Sequence, residues 1–246
     1  ERNQPAEATA LLANRLDVLE RGGLPEAVLL GYRTVARAAA AQGAENRALE
    51  LLVAMHAVGM SRRLPRLCIA SLADQVRLHA RRFRPETCRE LCARIEALLA
   101  DPAAPQGPLW RRSVDLLHEV ALSHAAIAAQ QWRQALEPLA RADALAQQLK
   151  QGRLHIELLG LRAYALDRCG ERSTALLREA AGLAQTYGLL RVFDDAHPAL
   201  GDWARQVLNA PADAAGACPL AAPMRAPAPV PDAARLRSQP SMALTP

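Results

Sequence analysis

The sequence predicts an all-α fold in which helical hairpins of about 40 residues stack into a superhelix. Three observations favour this fold. Ala, Leu, Arg and Glu dominate the composition, and apolar residues recur three and four positions apart, as on one face of a helix. One apolar pattern also returns at nearly constant intervals along the chain, and no segment shows the alternation of a β-strand.

Glycine and proline mark the expected helix boundaries, because both residues interrupt helices. They cut the chain into about ten segments of helical length. The interruptions are Gly22–Gly23, Gly43, Gly59, Pro85, Asp101–Pro108, Gly152, Gly170 and Gly188.

The recurring pattern is a small residue followed by apolar residues four, seven, ten and usually eleven positions later. In chain order its copies are Ala8-Leu12-Arg15-Val18-Leu19, Ala48-Leu52-Met55-Val58, Cys88-Cys92-Ile95-Leu98-Leu99, Ala135-Leu139-Ala142-Leu145-Ala146 and Ser173-Leu177-Ala180-Leu183-Ala184. Arg15 is the one poor match. The first residues of the copies, here called anchors, are separated by 40, 40, 47 and 38 residues. A second helix fits between each pair of anchors, which predicts a helix-turn-helix repeat.

A single hairpin cannot cover its own apolar faces, so successive hairpins are expected to stack. Ala135, Leu139 and Ala142 resemble the second helix of a tetratricopeptide repeat, and Leu122 stands where that family has its first-helix leucine. The spacing exceeds the about 34 residues of a regular tetratricopeptide repeat, and the first-helix tryptophan is missing. The resemblance implies a tetratricopeptide-like right-handed superhelix over residues 1–208.

The composition changes after Leu208. Residues 209–246 contain eight of the 17 prolines and twelve alanines, without a periodic apolar face. Such a segment buries too little surface to offset its conformational entropy, so we expect a flexible linker.

The charge pattern excludes several functions. The net charge is +5, but it is scattered along the chain, which argues against direct DNA binding by these residues. Lys150 is the only lysine, and its neighbours Leu149 and Gln151 exclude a Walker A phosphate loop.

We expect a cytoplasmic protein that does not enter a membrane, since no secretory signal or long apolar run is present and the five cysteines are irregularly spaced.

Three segments resemble MalT-like regulators of the LuxR type. Residues 175–184 and 187–195, which include Arg191-Val192-Phe193-Asp194, resemble the closing repeat of that family's central domain. Residues 59–64, Gly-Met-Ser-Arg-Arg-Leu, resemble an interior turn. Residues 243–246, Ala-Leu-Thr-Pro, match the usual start of the LuxR-type helix-turn-helix domain.

This resemblance implies the effector-sensing and oligomerisation domain of a transcription regulator. Its partners would be a small-molecule inducer or a regulatory protein, with self-association through the parent protein. DNA would be bound only through a C-terminal domain that this chain does not include. The alternative is a tetratricopeptide-like scaffold that binds a protein or an acidic peptide.

The sequence predicts neither an enzyme nor a metal or cofactor site. No two of the six histidines lie four residues apart, as a zinc-binding HExxH motif requires. Cys88 and Cys92 share a helix face, but they occupy apolar positions of the repeat, so we expect buried thiols. A nucleophile elbow of the Gly-x-Ser-x-Gly type is also missing.

Candidate ligand-binding residues follow from the repeat. Eleven residues before four of the anchors stand Arg37, Arg77, His124 and Arg162. By analogy with tetratricopeptide repeats, these side chains would form a basic ladder in a concave groove, suited to carboxylate or phosphate. Tyr32 and Tyr164 could add aromatic contacts. The alternative is that the basic residues are ordinary exposed side chains and that both tyrosines pack between helices.

Overall fold

The computed structural model describes residues 4–12, 15–189 and 191–209, and the regular secondary structure in these ranges is helical, without β-strands. Residues up to Asn209 form one compact unit. The linker expected beyond Asn209 lies outside the described residues, as does the resemblance at residues 243–246. The helices are α1 Pro5–Leu12, α2 Leu16–Gly22, α3 Pro25–Ala41, α4 Glu45–Ser61, α5 Pro65–Ala80, α6 Pro85–Leu99, α7 Pro108–Ala128, α8 Trp132–Gln148, α9 Gly152–Arg168, α10 Thr174–Thr186, α11 Val192–Ala196 and α12 Pro198–Asn209.

The all-helical prediction is therefore confirmed, and four copies of the pattern form buried faces. Their helices are α4, α6, α8 and α10, and the anchors Ala48, Cys88 and Ala135 are completely buried. The fourth anchor, Ser173, lies one residue before α10 and is 3% exposed.

The first copy does not form a single helix face. Its residues are divided between α1 and α2, because the chain leaves the helix before Arg15, which precedes α2. Val18 is 61% exposed, so this copy lacks the continuous buried stripe of the others. Arg15, the poor match, stands at the break.

The turns between helices share one hydrogen-bond pattern. After α3, α4, α5, α7, α8, α9 and α10, a backbone N–H donates to the carbonyl five residues earlier, at N···O distances of 2.8 to 3.2 Å. Each turn contains one residue with positive φ, as in a Schellman motif. At Gly43, φ is 81°, which glycine adopts at little cost, but Arg63, Phe83, Gln130 and Lys150 take the same place in other turns.

The predicted boundary at Gly59 is wrong, because α4 continues to Ser61. Gly59 serves helix packing instead: a Cβ at this position would lie 2.6 Å from Cys68 Sγ on α5. The glycine thus lets α4 and α5 approach closely.

Consecutive helices from α3 to α10 pack against each other, and α5 lies at the centre of the array. It contacts α3, α4, α6 and α7, and its residues from Leu67 to Val76 are all buried. Polar residues on this helix must therefore find partners within the protein. Among the described helices, none combines the length and apolar character needed to cross a membrane.

Candidate ligand-binding groove

Three adjoining cavities meet at Arg37 and together form the feature we call the central groove. The largest has a volume of about 320 Å³ and is lined by α3, α5, α7 and the start of α9. A second, of about 240 Å³, is lined by α1, α3, Arg153 of α9, and Leu189, Arg191, Val192 and Asp195. A space of about 50 Å³ between α3, α5 and Asp195 shares Arg37 with both.

The groove is strongly basic. Two carboxylates, Asp74 and Asp195, line it among the described residues. The seven arginines that line it are Arg33, Arg37, Arg66, Arg77, Arg81, Arg153 and Arg191. An anion entering the groove would therefore meet an excess of positive charge.

A network of ion pairs connects helices on opposite sides of the groove. On α5, Asp74 accepts two hydrogen bonds from Arg33, at 2.5 and 3.0 Å. The Arg77 Nη2 group donates to Glu157 on α9 at 2.5 Å. Glu157 is completely buried, so its charge depends on these partners.

The network continues from α9 to α11. Arg153 donates to Glu157 at 3.3 Å and to Asp195 at 3.0 Å. Arg81, the residue directly after α5, donates to the carbonyl oxygens of Asp194 and Asp195, at 3.5 and 3.4 Å. Residues far apart in sequence are thus joined across the groove.

The electrostatic balance differs between the members of this network. Burial alone would raise the pKa of Asp74, but Arg33, Arg77 and Arg37 together lower it. Burial alone would lower the pKa of Arg77, but Glu157 and Asp74 raise it. Both groups are consequently held in their charged forms.

Arg37 stands apart from the other arginines of the groove. Its side chain reaches solvent within the groove, and no carboxylate of the described residues lies within ion-pair distance of it. Desolvation, followed by repulsion from Arg77 and Arg153, lowers the pKa of Arg37 to about 10. It remains charged at neutral pH, and within the described part of the chain it forms no ion pair with a carboxylate.

Of the four predicted ladder residues, the structure brings only Arg37 and Arg77 together in the groove. His124 is completely buried beneath it, and neither ring nitrogen has a hydrogen-bond partner among the described residues. Desolvation, with repulsion from Arg77, His197 and Arg81, lowers the pKa of His124 well below its usual range. A neutral buried imidazole cannot serve as the basic rung that the repeat suggested.

Arg162 is exposed on α9 and lines none of the three cavities. The reason lies in the turn that follows its helix. The α9 helix continues six residues past Arg162, whereas α3 continues four residues past Arg37. Successive residues of an α-helix are rotated by about 100° around its axis. The difference of two residues therefore points the Arg162 side chain away from the groove.

Both predicted tyrosines pack within the protein. Tyr32 is 2% exposed, and its hydroxyl donates a hydrogen bond to Glu20. Tyr164 is 7% exposed and makes an edge-to-face contact with Trp132, with ring centroids 5.4 Å apart, and a tilted one with Trp203 at 5.6 Å. Their positions fit the packing alternative and offer no face to a ligand in the groove.

The prediction of buried thiols at Cys88 and Cys92 is confirmed. Desolvation raises the pKa of Cys88 to about 11 and that of Cys92 to about 12. Both thiols therefore stay protonated at neutral pH.

Sequence reasoning missed the buried Glu157 and seven charged residues that line the groove: Arg33, Arg66, Asp74, Arg81, Arg153, Arg191 and Asp195. A usable signal was present, since α5 carries Asp74 within an otherwise nearly apolar segment. Charged pairs three or four residues apart, such as Arg153 and Glu157, also share a helix face. Which helices these faces meet depends on the packing of the whole array, which no local pattern specifies.

Comparison of the chain with protein-family models, curated proteins and solved structures finds no match. The function is therefore argued from the groove and from the sequence.

Proposed function

We propose that the chain is the effector-sensing and oligomerisation domain of a LuxR-type, MalT-like transcription regulator. In this proposal the hairpins form a tetratricopeptide-like right-handed superhelix in the cytoplasm, and the domain is noncatalytic. DNA binding would belong to a helix-turn-helix domain outside this chain.

The observation that carries the proposal is the central groove, because distant parts of the sequence line it. The cavities are bounded by α1 and α3 on one side and by α9, Leu189, Arg191, Val192 and Asp195 on the other. A ligand held there would contact both ends of the helical array. Its binding could thus favour one arrangement of the helices over another, as a sensor requires.

The same groove favours a small molecule over an extended peptide. The bonds from Arg77 to Glu157 and from Arg81 to the Asp194 carbonyl span the groove, from α5 and the residue after it to α9 and α11. An extended peptide would have to break these bonds or avoid them. A compact ligand fits beside them, in cavities of about 240 and 320 Å³.

The proposal is tested by a thermal-shift panel of neutral and charged metabolites. A ligand at a hundredfold excess over its dissociation constant should add about 2.7 kcal/mol to the free energy of unfolding. The Arg162→Ala variant, which alters an exposed arginine outside the groove, serves as the control and should respond like the wild type. If no metabolite raises the melting temperature and an acidic peptide does so, the chain is a scaffold.

A further inference from the structure

The arginines of the central groove differ in how the protein neutralises them. Arg33 pairs with Asp74, Arg77 with Glu157, and Arg191 with Asp195. Arg66 pairs with Glu26, Arg81 with Glu45, and Arg153 with both Glu157 and Asp195. Among the described residues, Arg37 is the one arginine of the groove without a carboxylate partner.

Among the described residues, Arg37 is also the one that lines all three cavities. Three neighbouring arginines, Arg77, Arg153 and Arg33, lower its pKa, and Asp74 offsets them only in part. The two carboxylates of the groove are already bonded to arginines, Asp74 to Arg33 and Asp195 to Arg153. Among the described residues of the groove, Arg37 is therefore the arginine whose charge is open to a counter-ion.

We propose that the central groove binds a small anionic metabolite carrying a phosphate or carboxylate group, with Arg37 as its principal contact. This inference rests on the proposed sensing function and specifies the class of ligand. The guanidinium offers several donors in a planar fork, which matches either anionic group. The volumes of about 320 and 240 Å³ lie near or below the lower end of the common range for ligand pockets, so a compact anion fits better than a nucleotide.

The proposal predicts two effects of replacing Arg37, one on anion binding and one on stability. Removing the charge by Arg37→Gln should abolish anion binding, but it should leave the free protein at least as stable as the wild type, because repulsion from Arg77 and Arg153 is relieved. A residue that only supports the fold would behave differently: its replacement would lower the melting temperature of the free protein.

The experiment measures binding by isothermal titration calorimetry at constant ionic strength, with three probes: inorganic phosphate, malonate and glucose. We expect the wild type and Arg162→Ala to bind phosphate or malonate, and neither to bind glucose. The Arg37→Gln variant should bind the same anion at least about tenfold more weakly, as expected when a charge-assisted hydrogen bond is lost. The two anions distinguish a phosphate ligand from a carboxylate ligand.

Thermal shifts alone would be ambiguous, because phosphate stabilises many proteins by exclusion from their surfaces. The comparison with Arg37→Gln removes this ambiguity. The proposal is overturned if neither anion binds, if Arg37→Gln binds with unchanged affinity, or if this variant is less stable than the wild type without ligand. If glucose or another neutral compound binds in the groove instead, sensing by this domain stands and the anionic ligand class does not.

Discussion

At the scale of single residues, His197 is a buried polar side chain whose surroundings change its pKa. The side chain is 1% exposed, and its Nδ1 accepts a hydrogen bond from the Ala199 N–H at the start of α12, at 3.2 Å. Its ring also lies beside Phe83 and Tyr164. Desolvation is the main cause that lowers the pKa of His197 to about 4.

This pKa predicts a loss of stability in weak acid. Between pH 6.5 and 4 the unfolded chain binds a proton at His197 and the folded protein does not, so the free energy of unfolding decreases as the pH falls. The expected contribution is about 3 kcal/mol over this window. His124, whose pKa is lowered as well, should add to the loss.

The His197→Asn variant isolates the effect, because asparagine can accept the same hydrogen bond at the start of α12 and does not titrate. Urea unfolding at a series of pH values should give a shallower decrease for the variant than for the wild type. Equal slopes would show that His197 is charged in the folded protein. The absolute stability of the variant is not the readout, since the ring contacts are lost.

At the scale of helices, the close approach of α4 and α5 depends on Gly59. Replacing Gly59 by alanine would place a Cβ 2.6 Å from Cys68 Sγ and 3.1 Å from the Cys68 backbone nitrogen. We expect a loss of about 1 to 3 kcal/mol in the free energy of unfolding, although alanine is the better helix former. Chemical denaturation measures this difference.

Gly182 on α10 is the matched control, because a Cβ there would have no heavy atom within 4 Å. Gly182→Ala should stabilise the protein by up to about 1 kcal/mol. Adding Cys68→Ala to Gly59→Ala should recover part of the loss, if the sulfur is the obstacle. Equal effects of the two glycine substitutions would contradict the packing argument.

The helices also show which features of the fold and of the groove the sequence alone predicts. The apolar stripes identify α4, α6, α8 and α10, since a buried helix face needs a period near 3.6 residues whatever it packs against. Pro85 and Gly152 mark the turns at Phe83 and Lys150, but no glycine or proline marks the turn at Gln130, where a non-glycine residue adopts positive φ. The repeat predicts Arg37 and Arg77, but Arg162 is displaced by the longer α9 end, a difference that only the helix bounds disclose.

At the scale of the described unit, buried ion pairs connect its two ends, so they determine whether both ends unfold in one cooperative transition. Arrays of stacked hairpins are held mainly by contacts between neighbours, so parts of them can unfold separately. Here Arg77 and Glu157 join α5 to α9, and Arg153 continues the connection to α11 through Asp195. These bonds link segments that are not neighbours in the chain.

The Glu157→Gln variant should therefore change both the stability and the cooperativity of unfolding. It removes the nearer of the two carboxylates that neutralise the buried Arg77, which should lower the free energy of unfolding by about 3 kcal/mol. The three tryptophans, Trp110, Trp132 and Trp203, lie in α7, α8 and α12, so their fluorescence reports the second half of the array, whereas circular dichroism reports all helices. In the wild type the two signals should give the same transition. In Glu157→Gln the two transitions should separate, because the halves lose their connection.

The exposed pair of Arg47 and Glu50 provides the control: Glu50→Gln should leave both transitions together and nearly unmoved. Coincident transitions in Glu157→Gln would mean that contacts between neighbouring helices alone make the array cooperative.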